Sequence, residues 1–419
     1  MKIVIRAHLC ALLGAASLSG PALTLEEPAS GFDRDAAVSL ALANAPAIEA
    51  ARLEAEASGA LIAGAGLRPN PTLEIESDTI VGTAGNYLLN AGETSVALLQ
   101  PVERGGDAEA RVRLAQREFG AVALAQSSLE ADLVRDVELA FVALQAARAR
   151  LEVAEGRREA VSSFADVVEG RVRAARDPVM ARSRVAARLS EADIDVQAAR
   201  REVMRQSSRL ASYWSGSQAP AVELDSFFVL GEVPTPSRAL ETADLRRLRA
   251  ERDIRDARLQ VETARAIPDA TVGVSGRHLA ANDDLAVGLR FSIPLQVWNA
   301  NRAEIESARI AAQATDARIS AALRDWERNE ELHRSRRVSA AEEILSLETT
   351  VIPTLEEALR SARSGYERGV FSILDVFDTQ RALSDARSRR VDALQALHEA
   401  DIHLLRLYAS PRPAGTQQD

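Results

Sequence analysis

Two aspartates three residues apart are the side chains in this sequence best placed to act together. Asp375 and Asp378 follow a predicted turn at residues 365–372 and open the next predicted helix. Residues three apart share one face of a helix, so the two carboxylates would act on the same surface. Acids in a first turn also stabilise a helix through its dipole, and this simpler interpretation stays open beside any functional one.

Histidines are the other candidates for chemistry, as metal ligands or proton carriers. Beyond the amino-terminal segment these are His278, His333, His398 and His403. The spacing between the last two does not place both on one helix face, and the helical histidines are predicted to lie far apart. We interpret each as a solvated or internally bonded side chain and expect no dedicated metal site.

Motifs and composition exclude several classes of function. The sequence has no HExxH motif, no phosphate-binding glycine loop and no nucleophile elbow, so we expect neither an enzyme nor a bound cofactor. Charged residues make up 27% and aromatic residues 4%, and the formal net charge is −10. An acidic chain without basic clusters is a poor binder of nucleic acid.

The amino terminus has the pattern of a secretory signal. Lys2 and Arg6 precede a short apolar run at residues 7–18, and small residues follow at 19–22. The pattern predicts a signal peptide over residues 1–22, and the run is too short to span a bilayer. Cys10, the only cysteine, lies inside it. The expected mature chain therefore has no disulfide, and we expect no lipid anchor.

The elements that must position these residues are duplicated. Residues 51–56, 68–71 and the strand-like 72–77 recur as 257–262, 267–269 and 271–275, an offset close to half of the 419 residues. Each half is predicted to contain long helices interrupted by one pair of strands, over about 71–100 and 269–293. Pro71, Pro101, Pro268 and Pro294 mark the outer limits of the two pairs.

The strands alternate between apolar and polar residues. In the clearest case apolar side chains occupy every second position, at Leu285, Val287, Leu289, Phe291 and Ile293. This pattern predicts one face on lipid and one on a wet lumen, with a half-buried hairpin on a soluble domain as the alternative. Beyond the signal, no stretch is long and apolar enough for a membrane helix. Any membrane crossing would therefore use a closed β-barrel.

The helices are long and coiled-coil-like. Residues 107–174 contain no proline and would span roughly 100 Å as a helix. Apolar residues at spacings of three and four predict one packing seam in each half. These residues are Val134, Val137, Phe141, Leu144 and Leu151, then Ile344, Leu347, Val351, Thr354 and Ala358. A kink is expected at Pro353.

Each long helix ends at a turn and is followed by a return in two pieces. The turns lie at residues 176–178 and 368–369, and the returns are predicted at 178–214 with 237–266, and at 372–409 with 33–67. A Gly/Pro/Ser-rich insertion and the chain ends would meet midway along the helices. The predicted organisation is a signal peptide (1–22), a first repeat (23–214), an equatorial insertion (215–236), a second repeat (237–409) and a disordered tail (410–419).

The residues at the second turn resemble a known family. Residues 366–383, YERGVFSILDVFDTQRAL, resemble the second-half tip motif of TolC-like outer-membrane efflux channels. That motif has a tyrosine, a glycine turn, two aspartates three apart and Gln-Arg-x-Leu. Residues 66–73, GLRPNPTL, and 171–178, RVRAARDP, are most similar to the CzcC-type branch, which serves heavy-metal exporters.

The resemblance implies a fold and a set of partners. The fold class is mainly α with a small transmembrane β-barrel: a TolC-like α/β-barrel, internally duplicated, with four strands per chain. Three chains would form a homotrimer with a twelve-stranded barrel in outer-membrane lipid and a helical barrel in the periplasm. The implied partners are a periplasmic adaptor, or membrane fusion protein, and an inner-membrane pump of the resistance-nodulation-division (RND) type.

The resemblance also implies roles for the turn residues. In a trimer, Asp375 and Asp378 would each form a ring of three carboxylates at a periplasmic gate, where Tyr366 would hydrogen-bond between helices. Phe371 stands where the family's best-studied members carry an arginine. An apolar latch is therefore an alternative to a polar one at this position. The predicted adaptor-contacting tips are Arg176, Asp177, Pro178, Gly369, Val370 and Phe371. Ordinary helix-turn-helix chemistry at Gly369 is compatible with that role.

The function expected from this resemblance is a passive exit duct of a tripartite RND-type efflux system, exporting heavy-metal cations. Within the family, a multidrug or type I secretion duct is the alternative. In a different class, the alternative is a periplasmic coiled-coil adaptor or scaffold. Such adaptors carry one helical hairpin with β-rich flanking domains, whereas this sequence predicts two hairpins and no such flanks.

Overall fold

The computed structural model describes residues 32–78, 93–235, 242–279 and 283–409. The predicted signal peptide and tail lie outside these ranges. The helices are α1 (Arg34–Asn44), α2 (Pro46–Ala65), α3 (Asp107–Arg173), α4 (Val179–Ala211), α5 (Ala243–Ala264), α6 (Arg302–Ser346), α7 (Ile352–Glu367) and α8 (Ile373–Tyr408). The strands are β1 (Thr72–Asp78), β2 (Glu93–Val102), β3 (Ala270–Leu279) and β4 (Asp284–Ser292). Over the described ranges, none of the helices has the length and apolarity needed to cross a membrane.

The two halves of the chain repeat one order of elements, as the sequence predicted. A helix leads into two strands, a long helix leads away from them, and a further helix returns after a turn. The 67 residues of α3 extend for about 100 Å. In the first half, Pro46 divides the predicted helix 33–67 into α1 and α2, because proline is accepted in a first helical turn but not in an interior.

The four strands form one antiparallel sheet in the order β1-β2-β3-β4. The central pair, β2 and β3, joins the two repeats through ten consecutive residue pairs, from Glu93 opposite Leu279 to Val102 opposite Ala270. Pro101 lies inside β2 rather than at its outer limit, which corrects the sequence-based boundary. Leu99 is the last residue of β2 that lies opposite β1. Pro101 therefore faces no β1 residue that its missing N–H would leave without a hydrogen bond.

The second hairpin contains a break that the first lacks. Between α6 and α7 the segment Leu347–Val351 forms a π-helical turn, immediately before the predicted kink at Pro353. The predicted seam is wrong beyond this point, because Thr354 and Ala358 are exposed while the neighbouring Leu359 packs against the core. A π turn adds one residue, which rotates the following helix by about 100° and brings a different set of residues to the inner face.

The first and last described residues, Phe32 and Ala409, lie with the described part of the insertion near the middle of α3. Phe32 and Val222 form a parallel β-bridge, and Arg148 of α3 donates to the carbonyl of Val222 at 2.8 Å. At the other end of the chain, the Ala243 amide donates to the carbonyl of Ala409 at 2.9 Å. These contacts hold together the pieces that the sequence predicted to share one level.

Candidate functional site

Two short turns form the end of the helices opposite the sheet, and both have the same backbone geometry. In the α7–α8 turn, Gly369 has φ 80°, and the Val370 amide donates to the carbonyl of Gly365 at 2.8 Å. In the α3–α4 turn, Ala175 has φ 55°, and the Arg176 amide donates to the carbonyl of Arg171 at 2.9 Å. This geometry satisfies the last carbonyls of a helix and favours glycine at the left-handed position.

A three-residue contact joins the two turns. The Arg171 guanidinium donates to both carboxylate oxygens of Asp177, at 2.8 and 3.2 Å, and to the carbonyl of Glu367 at 2.7 Å. The Tyr366 hydroxyl donates to the same Asp177 carboxylate, and the guanidinium lies 4.7 Å from the centre of the Tyr366 ring. The predicted bond of Tyr366 between helices therefore has a defined acceptor within the same chain.

The surroundings of this contact shift the pKa values of its members in opposite directions. The Arg171 guanidinium, followed by the Tyr366 hydroxyl, lowers the pKa of Asp177. Burial, reinforced by the adjacent Asp177 carboxylate, raises the pKa of Tyr366 to about 12. The carboxylate is therefore charged and the phenol neutral over the physiological range, which are the states that the donor–acceptor pattern requires.

Sequence reasoning missed Arg171 as a site residue. It opens the segment 171–178 that carries part of the resemblance, but its spacing of six residues from Asp177 matches no local pairing pattern, so only the folded turn brings the two together. Asp177 was predicted to contact an adaptor, and the structure directs its carboxylate to Arg171 and Tyr366 instead of to solvent.

An apolar contact closes the second turn. The Phe371 ring lies so close to Gly365 that a Cβ on that glycine would be 2.2 Å from a ring carbon. Behind it, the Phe164 ring packs against Tyr366 at 5.1 Å and against Phe377 at 5.7 Å between ring centres. The resemblance did not decide between a polar and an apolar latch at this position. In the structure, Phe371 makes an apolar contact within its own chain.

Asp375 in the first turn of α8 and Asp378 in the second turn occupy different environments. The Ser372 amide donates to the Asp375 carboxylate at 2.7 Å, and the serine hydroxyl accepts from the Asp375 amide, which completes a capping box. The Ser372 hydroxyl also donates to this carboxylate at 2.8 Å, and this bond, together with the donation from the Ser372 amide, lowers the pKa of Asp375. Asp378 is exposed and lines a shallow cleft with Arg157, Arg188 and Arg381.

The other predicted tip residues are accessible. Arg176, Pro178 and Gly369 are exposed, and Val370 and Phe371 keep 69% and 47% of their surface open to solvent. Apolar side chains left open at a helical turn suit docking of another protein surface.

His278 and His398 are hydrogen-bonded within the chain, and the prediction for the other two described histidines needs a correction. His333 and His403 were predicted to lie far apart, yet their rings stack at 4.5 Å between centres because α6 and α8 pack side by side. Nε2 of His398 lies 2.9 Å from the carbonyl of Phe227. Among the described residues, no three His, Cys, Asp or Glu side chains are grouped to hold a metal ion.

The sheet has one apolar face that is open to its surroundings. The registers place every second residue of each strand on this face. Its large members, 40–89% exposed, are Leu73, Ile75, Val96, Leu98, Val102, Val272, Val274, Leu285, Val287, Leu289 and Phe291. A contiguous exposed surface of this kind is normally covered by a lipid or protein partner.

The opposite face is charged. It carries five carboxylates and two guanidinium groups, a surplus of three negative charges per chain, from Glu74, Glu76, Asp78, Glu93, Asp284, Arg277 and Arg290. Arg290 of β4 reaches across the sheet to Glu74 of β1, with 2.9 Å between nitrogen and oxygen. β1 and β4 are the two edge strands, and their side chains can meet only if the sheet curves toward this side. The charged face is therefore concave.

Solved structures with a similar arrangement define its fold. The chain superposes on CusC with a TM-score of 0.76 at 19% identity, over 91% of this chain and 92% of that one. It superposes on the outer membrane protein VceC of Vibrio cholerae with a TM-score of 0.70 at 16% identity, over 90% of this chain and 97% of that one. The chain therefore has the fold of these outer-membrane channel proteins.

Sequence comparisons show similarity to outer-membrane efflux proteins and to heavy-metal resistance proteins. The family model described as Outer membrane efflux protein matches residues 236–410. The cobalt-zinc-cadmium resistance protein CzcC of Cupriavidus metallidurans is 29% identical, over 89% of this chain and 89% of that protein. The nickel-cobalt-cadmium resistance protein NccC of Alcaligenes xylosoxydans is 26% identical, over 67% of this chain and 64% of that protein. The family match, the sequence relatives and the shared fold confirm the resemblance to outer-membrane efflux channels drawn from residues 366–383.

Proposed function

We propose that this protein is the outer-membrane exit channel of a tripartite efflux system and that its cargo is divalent heavy-metal cations. Three chains would close their sheets into one twelve-stranded barrel, continuous with a hollow stem of helices. The observation that carries the proposal is the sheet, with an exposed apolar face, a charged concave face and two unpaired edges at β1 and β4. A closed barrel would pair those edges and cover the apolar face with lipid.

Metal cations as cargo are supported by charge and by kinship. Each chain would contribute its surplus of three negative charges to the lumen, and a lumen lined with carboxylates favours cations. The relatives CzcC and NccC are named for resistance to cobalt, zinc, nickel and cadmium. No ligand cluster is needed for this role, because a duct must release what it passes.

The two helical turns would form the periplasmic entrance. In this proposal the contact of Arg171, Asp177 and Tyr366 fixes the position of the second hairpin relative to the first. Both aspartates are exposed, and Asp378 is the better candidate for a cation-attracting ring because Ser372 engages the carboxylate of Asp375. The Asp375 carboxylate is engaged by Ser372, so its contribution would be to hold the first turn of α8 in place.

The adaptor would dock on the exposed part of the same turns. Arg176, Pro178, Gly369, Val370 and Phe371 remain available to a partner, and three copies would present them around the entrance. The pump of RND type would contact this adaptor in the inner membrane. Asp177 would support the docking surface from within.

Reconstitution and a resistance assay test this function. The purified chain in detergent should have the mass of a trimer and should give cation-selective channels in planar bilayers. Deletion of the gene should raise sensitivity to cobalt, zinc or cadmium, and a plasmid copy should restore resistance. A soluble monomer without channel activity would refute the channel, whereas unchanged metal sensitivity with raised drug sensitivity would refute the cargo.

A further inference from the structure

One of the three tryptophans, Trp298, lies in the segment between β4 and α6 and is almost completely exposed. Trp298 keeps 97% of its surface open, and Leu295 and Val297 keep 82% and 68%. The other tryptophans, Trp214 and Trp326, are both partly buried. Three exposed apolar residues within four positions form a patch of the kind that a partner normally covers.

The polar residues of the same segment are bonded to the protein. The Asn301 side-chain amide donates to the carbonyl of Glu262 at 2.7 Å, and that of Gln296 reaches the carbonyl of Arg265 at 3.5 Å. Both acceptors lie at the carboxyl-terminal end of α5. The segment is therefore amphipathic: its polar groups hold it against the helix, while Leu295, Val297 and Trp298 project into the surroundings.

The corresponding segment of the first repeat has no such apolar group. After β2, the Glu103 carboxylate pairs with Arg111, and the Arg104 amide donates to Asp269 at 3.2 Å. The apolar projection is thus a property of one repeat, and a trimer would carry three copies of it.

The height of the apolar face indicates which partner would cover the projection. On β4 this face extends from Leu285 to Phe291, about 20 Å along the strand or about 15 Å after a tilt of about 40°. The apolar band of an outer-membrane barrel is about 25 Å tall, so β4 alone falls about 10 Å short. Leu295, Val297 and Trp298 directly follow the inner end of β4 and would supply the missing height.

We propose that Leu295, Val297 and Trp298 form a membrane anchor that inserts at the periplasmic headgroup boundary of the outer membrane. Tryptophan suits this position, because its ring is apolar and its indole N–H finds acceptors among lipid headgroups. The proposal rests on the proposed channel function, which places the apolar face in lipid, and it adds the residues that fix the inner boundary of that face.

Fluorescence of a single tryptophan tests the anchor. Trp214→Phe with Trp326→Phe leaves Trp298 as the only reporter in the full-length channel. The protein is reconstituted into phosphatidylcholine vesicles whose acyl chains are brominated either close to the headgroup or near the methyl end. The matched control adds Trp298→Phe and Val179→Trp, which moves the reporter to an exposed position beside the α3–α4 turn.

The anchor predicts that emission from Trp298 shifts to shorter wavelength on reconstitution and loses intensity mainly with bromine close to the headgroup. The control should keep its emission and be quenched by acrylamide in the aqueous phase. Emission from Trp298 that behaves like the control would overturn the anchor. So would a short-wavelength emission insensitive to both brominated lipids, since the neighbouring chain would then cover the ring. Conductance recorded from the same preparation separates these results from failure of the channel itself.

Discussion

Removal of the Asp177 carboxylate is the perturbation whose effect on the two turns follows most directly from the structure. The side chains of Arg171 and Asp177 each keep only 14% of their exposure, so Asp177→Ala leaves a largely buried guanidinium without its carboxylate. The Tyr366 hydroxyl loses its acceptor at the same time. A charge-assisted hydrogen bond contributes about 1.5–3 kcal/mol, and bonds that share one acceptor group are not additive. We expect the contact between the turns to weaken by about 2–4 kcal/mol.

That loss corresponds to an increase of about 30- to 700-fold in the population with separated turns. Tryptic cleavage after Arg368, in the second turn, reports that population when opening is fast relative to cleavage. We expect faster cleavage in Asp177→Ala and a smaller increase in Tyr366→Phe, which removes a single bond. If the contact holds the entrance, resting conductance in planar bilayers should rise in the same order.

A matched control is available on the same hairpin. Glu357 pairs with Arg360 on the surface of α7, with both side chains about two-thirds exposed. Because exposed pairs contribute little, Glu357→Gln should leave both readouts unchanged. Cleavage and conductance of Asp177→Ala equal to those of this control would refute the reasoning.

Three further perturbations have defined outcomes. Gly365→Ala should destabilise the second turn by about 1–3 kcal/mol, because the new Cβ overlaps the Phe371 ring, and Phe371→Ala in the same chain should restore its resistance to trypsin. Leu289→Lys on the apolar face should cost about 2–4 kcal/mol in lipid and deplete the protein from outer-membrane fractions, whereas Ser275→Lys on the charged face should not. Burial lowers the pKa of His398, so the folded state holds this imidazole neutral. Its contribution to the free energy of unfolding is therefore fully present above pH about 6.5 and is lost as the pH falls through the lowered pKa. Amide exchange in residues 222–230 should therefore accelerate on acidification, and a pH-independent rate would contradict this assignment.

The order of helices, strands and turns could be predicted from the sequence, because proline, glycine and the alternation of apolar and polar residues act on the local backbone conformation. The internal repeat, the four strands and the turn at Gly369 all follow from such signals. The capping box of Ser372 and Asp375 carries a sequence signature as well, since the two residues are three positions apart at a helix start.

Features that depend on packing between distant segments could not be read in this way. Asp177 and Tyr366 are separated by 189 positions, and only the adjacency of the two hairpins brings them into contact. The stacking of His333 on His403 arises for the same reason. The rotation of α7 required knowledge of the π turn, because Pro353 alone predicts a kink but not the extra residue before it.

Closure of the barrel between neighbouring chains is the central claim, and disulfide trapping measures it directly. The only cysteine, Cys10, lies in the predicted signal, so cysteines introduced on the two edge strands would report without background. Leu73→Cys or Ile75→Cys on β1 would be combined with Leu285→Cys, Val287→Cys or Leu289→Cys on β4, and the membranes oxidised. Edge pairing predicts that at least one combination gives covalent trimers on denaturing gels, while each single variant stays monomeric. Monomers in every combination, from protein that has reached the outer membrane, would contradict the account.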